Sequence, residues 1–332
     1  MFIISSYTLA VIFCIITMIC WGSWANTLKL SSKNWPFQLY YWDYSIGLVL
    51  TSLLLAFTLG SIGSSGRAFV ADLLQAKSAA LGSAFLGGVI FNLSNLLIVA
   101  ATDIAGMAVA FPIAVGLALV IGVVVNYMAV PIGDPWLLFI GLGLVVLAII
   151  IDALAYGKLP SARQSIGKGI VLSIISGILM GFFYRFVAAS MVENPVMPET
   201  GKITSYTAMF VFTTGILLSN FLWNTIFMYK PVKGRPVKYG EYISLGSARL
   251  HLIGIAGGLI WCVGMSFNLI ASSQAGYAIS YGLGQGATMI AAAWGVFIWK
   301  EFAGAPKSTN RLIAAMFTLF IAGLVMIILA KL

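Results

Sequence analysis

The sequence predicts an all-α membrane protein of ten transmembrane helices, laid out as a 5+5 inverted repeat, and three observations predict it. Hydrophobic residues make up 61% of the 332 positions and charged residues 8%, with a mean hydropathy of +1.04. A soluble domain of that balance would lack the polar surface it needs against water. The apolar residues also fall into ten runs of about 20 residues, the length that crosses a bilayer. Finally, the chain overlays on itself without a gap at a shift of 170 positions. Gly87-Gly88 falls on Gly257-Gly258, Ile90 on Ile260, Ala101 on Ala271, Ala105-Gly106 on Ala275-Gly276, Ala108 on Ala278 and Gly116 on Gly286.

The runs place spans at about 7–27, 38–60, 81–101, 105–128, 135–153, 168–190, 204–229, 249–270, 275–299 and 311–331. The first lacks a basic leader and a small-residue cleavage site, so it reads as a retained span rather than a signal peptide. The polar stretch Ala155 to Gly167 is the joint: residues 1–154 form the first five-helix repeat, 155–167 a cytoplasmic connecting loop and 168–332 the second repeat. An odd number of spans per half turns the second half over, so the repeat is inverted about an axis in the membrane plane. That build belongs to secondary transporters.

Lys and Arg set the orientation. With the N-terminus outside, the inner loops hold Lys29, Lys33, Lys158, Arg163, Lys230, Lys233, Arg235, Lys238, Lys300 and Lys307. The outer side holds Arg67, Lys77, Lys202 and Lys331, with Glu193 and Glu199. Both termini are therefore expected outside the cytoplasm, in a bacterial-type inner membrane. The long outer loop Ser61 to Ala80 has an apolar stretch, Phe69 to Leu74, that reads as a short interfacial helix.

Polar side chains inside a span are costly and face a cavity or another helix. Span 1 carries Trp21, Trp24 and Asn26, and span 2 carries Tyr40, Tyr41, Trp42 and Asp43. An interfacial aromatic belt accounts for Trp35 and Tyr40. It accounts poorly for Asp43, about two turns into its span, which is the candidate proton-coupling carboxylate. Asn92 and Asn95 in span 3, and Ser266 with Asn268 in span 8, fit either interhelical hydrogen bonding or a polar site. Arg185 of span 6 fits equally an arginine reaching the outer headgroups and a group that binds a solute oxygen. His251, Asp152 and Glu301 read as interfacial or solvated helix ends.

Spans 4 and 9 carry helix-weakening residues at corresponding places: Pro112 falls on Gly282 and Gly116 on Gly286 at the 170 shift. Interruptions that correspond in two inverted halves point to a midplane solute site, though small residues also serve close helix packing. Gln274, Tyr277, Tyr281 and Gln285 beside them favour the site, because packing needs no amides or phenols. A central cavity lined mainly by spans 1–4 and 6–9 follows.

Other chemistries are excluded. One histidine and scattered Cys14, Cys20 and Cys262 give no metal cage and no disulfide framework. No phosphate-binding loop is present, since Ser165-Ile166-Gly167-Lys168-Gly169 lacks its upstream glycine and hydroxyl residue. The net charge of +9 sits in loops between spans, the footprint of orientation rather than of nucleic-acid binding. No cofactor and no enzymatic activity are expected; the expected partners are membrane lipid, a small solute and protons.

Taken together, these residues make the chain resemble the drug/metabolite transporter superfamily over nearly its whole length. The second half, from Gly257-Gly258-Leu259-Ile260-Trp261 through Trp299-Lys300-Glu301, is similar to bacterial glucose and rhamnose uptake transporters. The first half resembles the ureide permeases through Trp21 to Thr27, Tyr41 to Tyr44, Thr58 to Gly63 and Gly87-Gly88 with Asn92 to Asn95. Gln274 to Ala278 and Trp294-Gly295-Val296 add to that likeness. Ureide permeases are plant proton-coupled importers of allantoin and nucleobases with a long central loop; here that loop is short and lacks their nucleotide-loop-like motif. The resemblance implies uptake of a small uncharged solute, a sugar or a ureide or nucleobase, by proton symport with alternating access. The alternatives are export of amphiphiles and a sensor that transports nothing.

Overall fold

The computed structural model describes residues 1–31, 35–159 and 166–332. Lys33 and Arg163 of the orientation argument, and residues 160–165 of the expected connecting loop, lie outside the described residues. Nine helices among the described residues are long and apolar enough to cross a membrane. They are Tyr7–Leu30, Phe37–Phe57, Ser78–Ala105, Val109–Ala129, Pro135–Tyr156, Gly167–Ser190, Ser205–Tyr229, Ala248–Ala275 and Ser308–Leu329, here spans 1 to 8 and span 10. The run expected at 275–299 is divided into Tyr277–Gly284, Ala287–Ala293 and a π-helical Trp294–Ile298, together span 9.

Helices dominate because lipid offers no partner to backbone N–H and C=O groups, and a helix satisfies them within itself. Span 1 shows the resulting two-sidedness: Cys14, Thr17 and Met18 are buried while Ile12, Ile15 and Ile19 stand exposed, apolar towards lipid. Ser6, Asp134 and Ser247 cap the starts of spans 1, 5 and 8 with their side-chain oxygens, accepting from Leu9, Leu137 and Leu250 amides.

Glycines set the helix crossings. A Cβ on Gly258 of span 8 would lie 2.1 Å from the Tyr44 carbonyl oxygen of span 2, and one on Gly47 would lie 2.3 Å from that of Ile255. Spans 3 and 7 meet in the same manner, with Gly88 at 2.1 Å from the Phe212 oxygen and Gly215 at 2.4 Å from that of Phe85. Gly22 and Gly286 bring spans 1 and 9 together, and Gly177 and Gly181 seat span 6 on span 4. Gly141 of span 5 and Gly323 of span 10 each meet the other's carbonyl oxygen at 2.7 Å.

Spans 3 and 8 begin and end 170 positions apart, and each gives way to its successor through one glycine. Gly106 has φ 80° and ψ 160°, and Gly276 has φ 84° and ψ 153°. That left-handed link is open to glycine at no steric cost.

The expected interruptions differ from what forms. Span 4 is helical from Met107 to Ala129 through both Pro112 and Gly116. A proline removes one hydrogen bond, and here the helix continues past the loss. In span 9, Gly282 lies inside the helix Tyr277–Gly284, and the helix restarts at Ala287, so the discontinuity sits at Gln285 and Gly286. The amides of Gly286, Thr288 and Met289 there bond three residues back, which tightens the turn.

Candidate functional site: a central aromatic cavity

Spans 1, 3, 4, 6, 8 and 9, with Phe37 at the start of span 2, line a cavity of about 340 Å³, within the range of small-molecule sites. Its walls are aromatic, with Trp21, Trp24, Phe91, Phe111, Phe183 and Trp261. Trp21 and Trp261 stack with centroids 5.7 Å apart, and Phe91 lies 4.6 Å from Trp261. Asn95, Thr102, Ser176, Gln285 and Thr288 bring hydrogen-bonding groups to it, and Asp103 brings a carboxylate. Span 7 stands behind span 3, where Gly88 brings Phe212 against Phe91 at 5.6 Å.

Two further cavities adjoin it. One, of about 260 Å³, shares Phe37, Val99 and Asp103 with the central cavity and is lined further by residues at the ends of spans 2, 3 and 7 and by the loop after span 7, including Lys233, Arg235 and Val237. It is the mouth on the basic-loop face. The other, of about 170 Å³, shares Trp21, Trp24, Phe111 and Thr288 and holds Asn26, Lys29, Asp152 and Glu301.

The opposite face is sealed. Arg67 bonds Asp72 at 2.9 Å and the Pro198 carbonyl at 2.7 Å, and Asp72, wholly buried, accepts from the Thr204 amide at 2.7 Å. Gln75 accepts from the Gly201 amide and donates to the Lys202 carbonyl, joining the short helix Phe69–Gln75 to the loop between spans 6 and 7. The N-terminal strand of chain lies over this layer, held by Met1 to Ser65, Tyr206 to Phe2 and Gln274 to Ile4. Only about 20 Å³ remains under Met1 to Ile4, room for roughly one water.

Asp43 lines none of these cavities. It is 1% exposed, at the crossing of spans 2 and 8, where a Cβ on Gly254 would lie 2.4 Å from its own Cβ. The Tyr242 hydroxyl donates to Oδ1, and His251 Nδ1 lies 3.0 and 3.1 Å from the two carboxylate oxygens. Trp35 closes the cluster, edge-on to His251 at 5.2 Å. Burial, then the bond to Asp43, holds the Tyr242 hydroxyl above the ordinary phenol range, so it remains a donor at neutral pH. Tyr242 belongs to the loop helix Tyr239–Ser244, which follows directly on the mouth-lining loop.

The family model described as ureide permease matches residues 40–159 and 158–330. This chain belongs to the ureide permease family. It is 23% identical to Ureide permease 4 of Arabidopsis thaliana over 393 residues, with 97% of each chain covered. With Ureide permease 2 of the same plant it is 22% identical, again with 97% of each covered. It is 29% identical to Probable ureide permease A3 of Vigna unguiculata over 181 residues, 53% of this chain and 46% of that one. A protein of known crystal structure, 13% identical, shares the fold with a TM-score of 0.60 over 97% of this chain and 96% of its own. The chain is thus an integral membrane permease for a small solute.

Within this ureide permease the residues singled out by sequence divide by location. Trp21, Trp24, Asn95 and Gln285 line the central cavity, and Asn26 and Pro112 line the smaller one beside it. The rest engage the protein itself. Asn92 donates to Ile216 O and Ser219 Oγ of span 7, and Tyr41 accepts from Asn95 at 3.1 Å. Trp42 donates to Met228 Sδ. Asn268 accepts from Tyr184 at 2.7 Å and donates to Ser280 O at 2.7 Å, while Tyr281 donates to carbonyls of Ala118 and Met180. Gln274 holds the N-terminal segment, and Tyr277 is buried. Arg185 is half-buried towards the sealed face and lines none of these cavities.

Three expectations change. Trp35 and Tyr40 are 3% and 0% exposed, so they pack inside the protein rather than in an interfacial belt. His251 is partnered with Asp43 rather than with headgroups. Glu301 is partly exposed but not left to solvent alone: Lys29 of span 1 pairs with it and Tyr156 of span 5 donates to it at 2.9 Å. Sequence reasoning missed Asp103, Trp261 and Tyr242. The one available signal for Asp103 was that it is the only acid in its span.

Proposed function

We propose that this permease imports a small, uncharged, planar ureide or nucleobase by proton symport with alternating access. The observation that carries the reading is the central cavity: stacked aromatic walls for a flat heterocycle, with amide, hydroxyl and carboxylate groups for its N–H and C=O edges. The names of the relatives, ureide permeases, support the same solute class.

Alternating access is supported by the unequal ends of the cavity, a mouth at the loop after span 7 and a hydrogen-bonded seal at the other face. The two halves, 1–154 and 168–332, are the natural moving bodies. Their correspondence is supported by the matched bounds of spans 3 and 8, the Gly106 and Gly276 links and the paired glycine crossings. The basic loops then face the cytoplasm, the open mouth faces inward and both termini lie outside the inner membrane.

Asp43 is the proposed coupling group. As a carboxylate it accepts from Tyr242 and faces His251, which ties the loop beyond the mouth to spans 2 and 8. Protonation removes that charge and weakens the tie, because hydrogen bonds to an ionised acceptor are about twice as strong as neutral ones. The test is accumulation of labelled allantoin in proteoliposomes under an inward proton gradient. Asp43→Asn should abolish accumulation yet keep solute exchange. Accumulation indifferent to the gradient removes proton coupling, and full accumulation by Asp43→Asn removes this residue from it.

A further inference from the structure

We propose that Asp103 is the residue that selects the solute, accepting its N–H groups at the junction of the central cavity and the mouth and refusing anions there. This rests on the functional reading above. Among the described residues Asp103 is the carboxylate common to both cavities, and no other acid lines either. It is an exposed residue in the last turn of span 3 and lines both spaces.

Its surroundings define what it recognises. Deeper in the cavity are aromatic faces and the amides of Asn95 and Gln285, which can both give and accept hydrogen bonds. An ionised carboxylate only accepts, through two oxygens, and so suits a pair of N–H donors on one edge of the solute. Lys233 reaches the same place from the loop, donating to the Asp103 carbonyl at 3.4 Å. Arg235 at the same mouth is paired with both carboxylate oxygens of Glu241, so its charge is already answered. A solute that carries N–H donors beside a carbonyl meets both signs, as a ureido group does. A free carboxylate on the solute meets Asp103 as a like charge, which disfavours its binding there.

Asp103 is exposed at a helix end, where Lys233 bonds its backbone oxygen and also faces its carboxylate as an opposite charge. A substitution there changes chemistry and leaves the helices in place.

The experiment is competition against labelled allantoin uptake into proteoliposomes of the full chain. The competitors are hydantoin, its N,N′-dimethyl derivative and the anion of N-carbamoylglycine. The native protein should be inhibited by hydantoin alone. In Asp103→Asn the half-saturating allantoin concentration should rise about tenfold or more, the loss expected for one charge-assisted hydrogen bond, and N-carbamoylglycine should begin to compete. Asp103→Glu, which keeps the carboxylate, should restore refusal of the anion. An Asp103→Asn protein with native half-saturation and native selectivity overturns the inference, even if its maximal rate falls. Native protein that takes up neither allantoin nor hydantoin overturns the functional reading, and this inference with it.

Discussion

Adding one methyl group at Gly88 or Gly258 should weaken the fold, while the same change at Gly116 should not. A Cβ at Gly88 would lie 2.1 Å from the Phe212 oxygen and 3.1 Å from the Ile216 nitrogen. At Gly258 it would lie 2.1 Å from the Tyr44 oxygen and 2.8 Å from the Leu48 nitrogen. Carbon and oxygen settle at about 3.3–3.6 Å, so each pair of helices must part by about 1 Å or more. The atoms struck are helical backbone, which cannot swing aside as a side chain would. Forcing a methyl into a packed site costs roughly 1–3 kcal/mol. Around Gly116 nothing lies within 4 Å, so that change keeps only the gain of alanine over glycine in a helix, about 1 kcal/mol. Because the same gain applies at all three sites, it cancels in the comparison. Gly88→Ala and Gly258→Ala should therefore each be less stable than Gly116→Ala by roughly 1–3 kcal/mol. Thermal unfolding in detergent can be followed by maleimide-dye labelling, since Cys14 and Cys262 are buried until the bundle opens. Equal midpoints for the three variants would refute the claim that these glycines set the crossings.

Asn268→Ala should destabilise by about 1–3 kcal/mol, because it leaves the buried Tyr184 hydroxyl and the Ser280 carbonyl without their partner. A lowered midpoint in the same unfolding assay, restored in part by Asn268→Asp, checks it. For orientation, single cysteines at Glu199 and Lys307 in a background without the native three should differ in intact cells. A membrane-impermeant reagent should label Glu199→Cys alone, and labelling of Lys307→Cys alone would turn the molecule over.

The fold class was legible in the sequence because it depends on local quantities. Apolar run length measured against bilayer thickness places the spans, and the glycine pairs 87–88 and 257–258 announce close crossings wherever their partners lie. Which polar group faces the solute was not legible. Asn92 and Asn95 sit three apart on one helix, yet Asn92 donates to span 7 while Asn95 lines the cavity. Asp43 meets His251 across 208 positions, and Lys29 meets Glu301 across 272. A helix in lipid can be rotated about its axis, or paired with another neighbour, at little cost to its own hydropathy. Its rotation is fixed instead by the partners that close glycine approaches and buried hydrogen bonds select, and those partners exist only once the chain has folded.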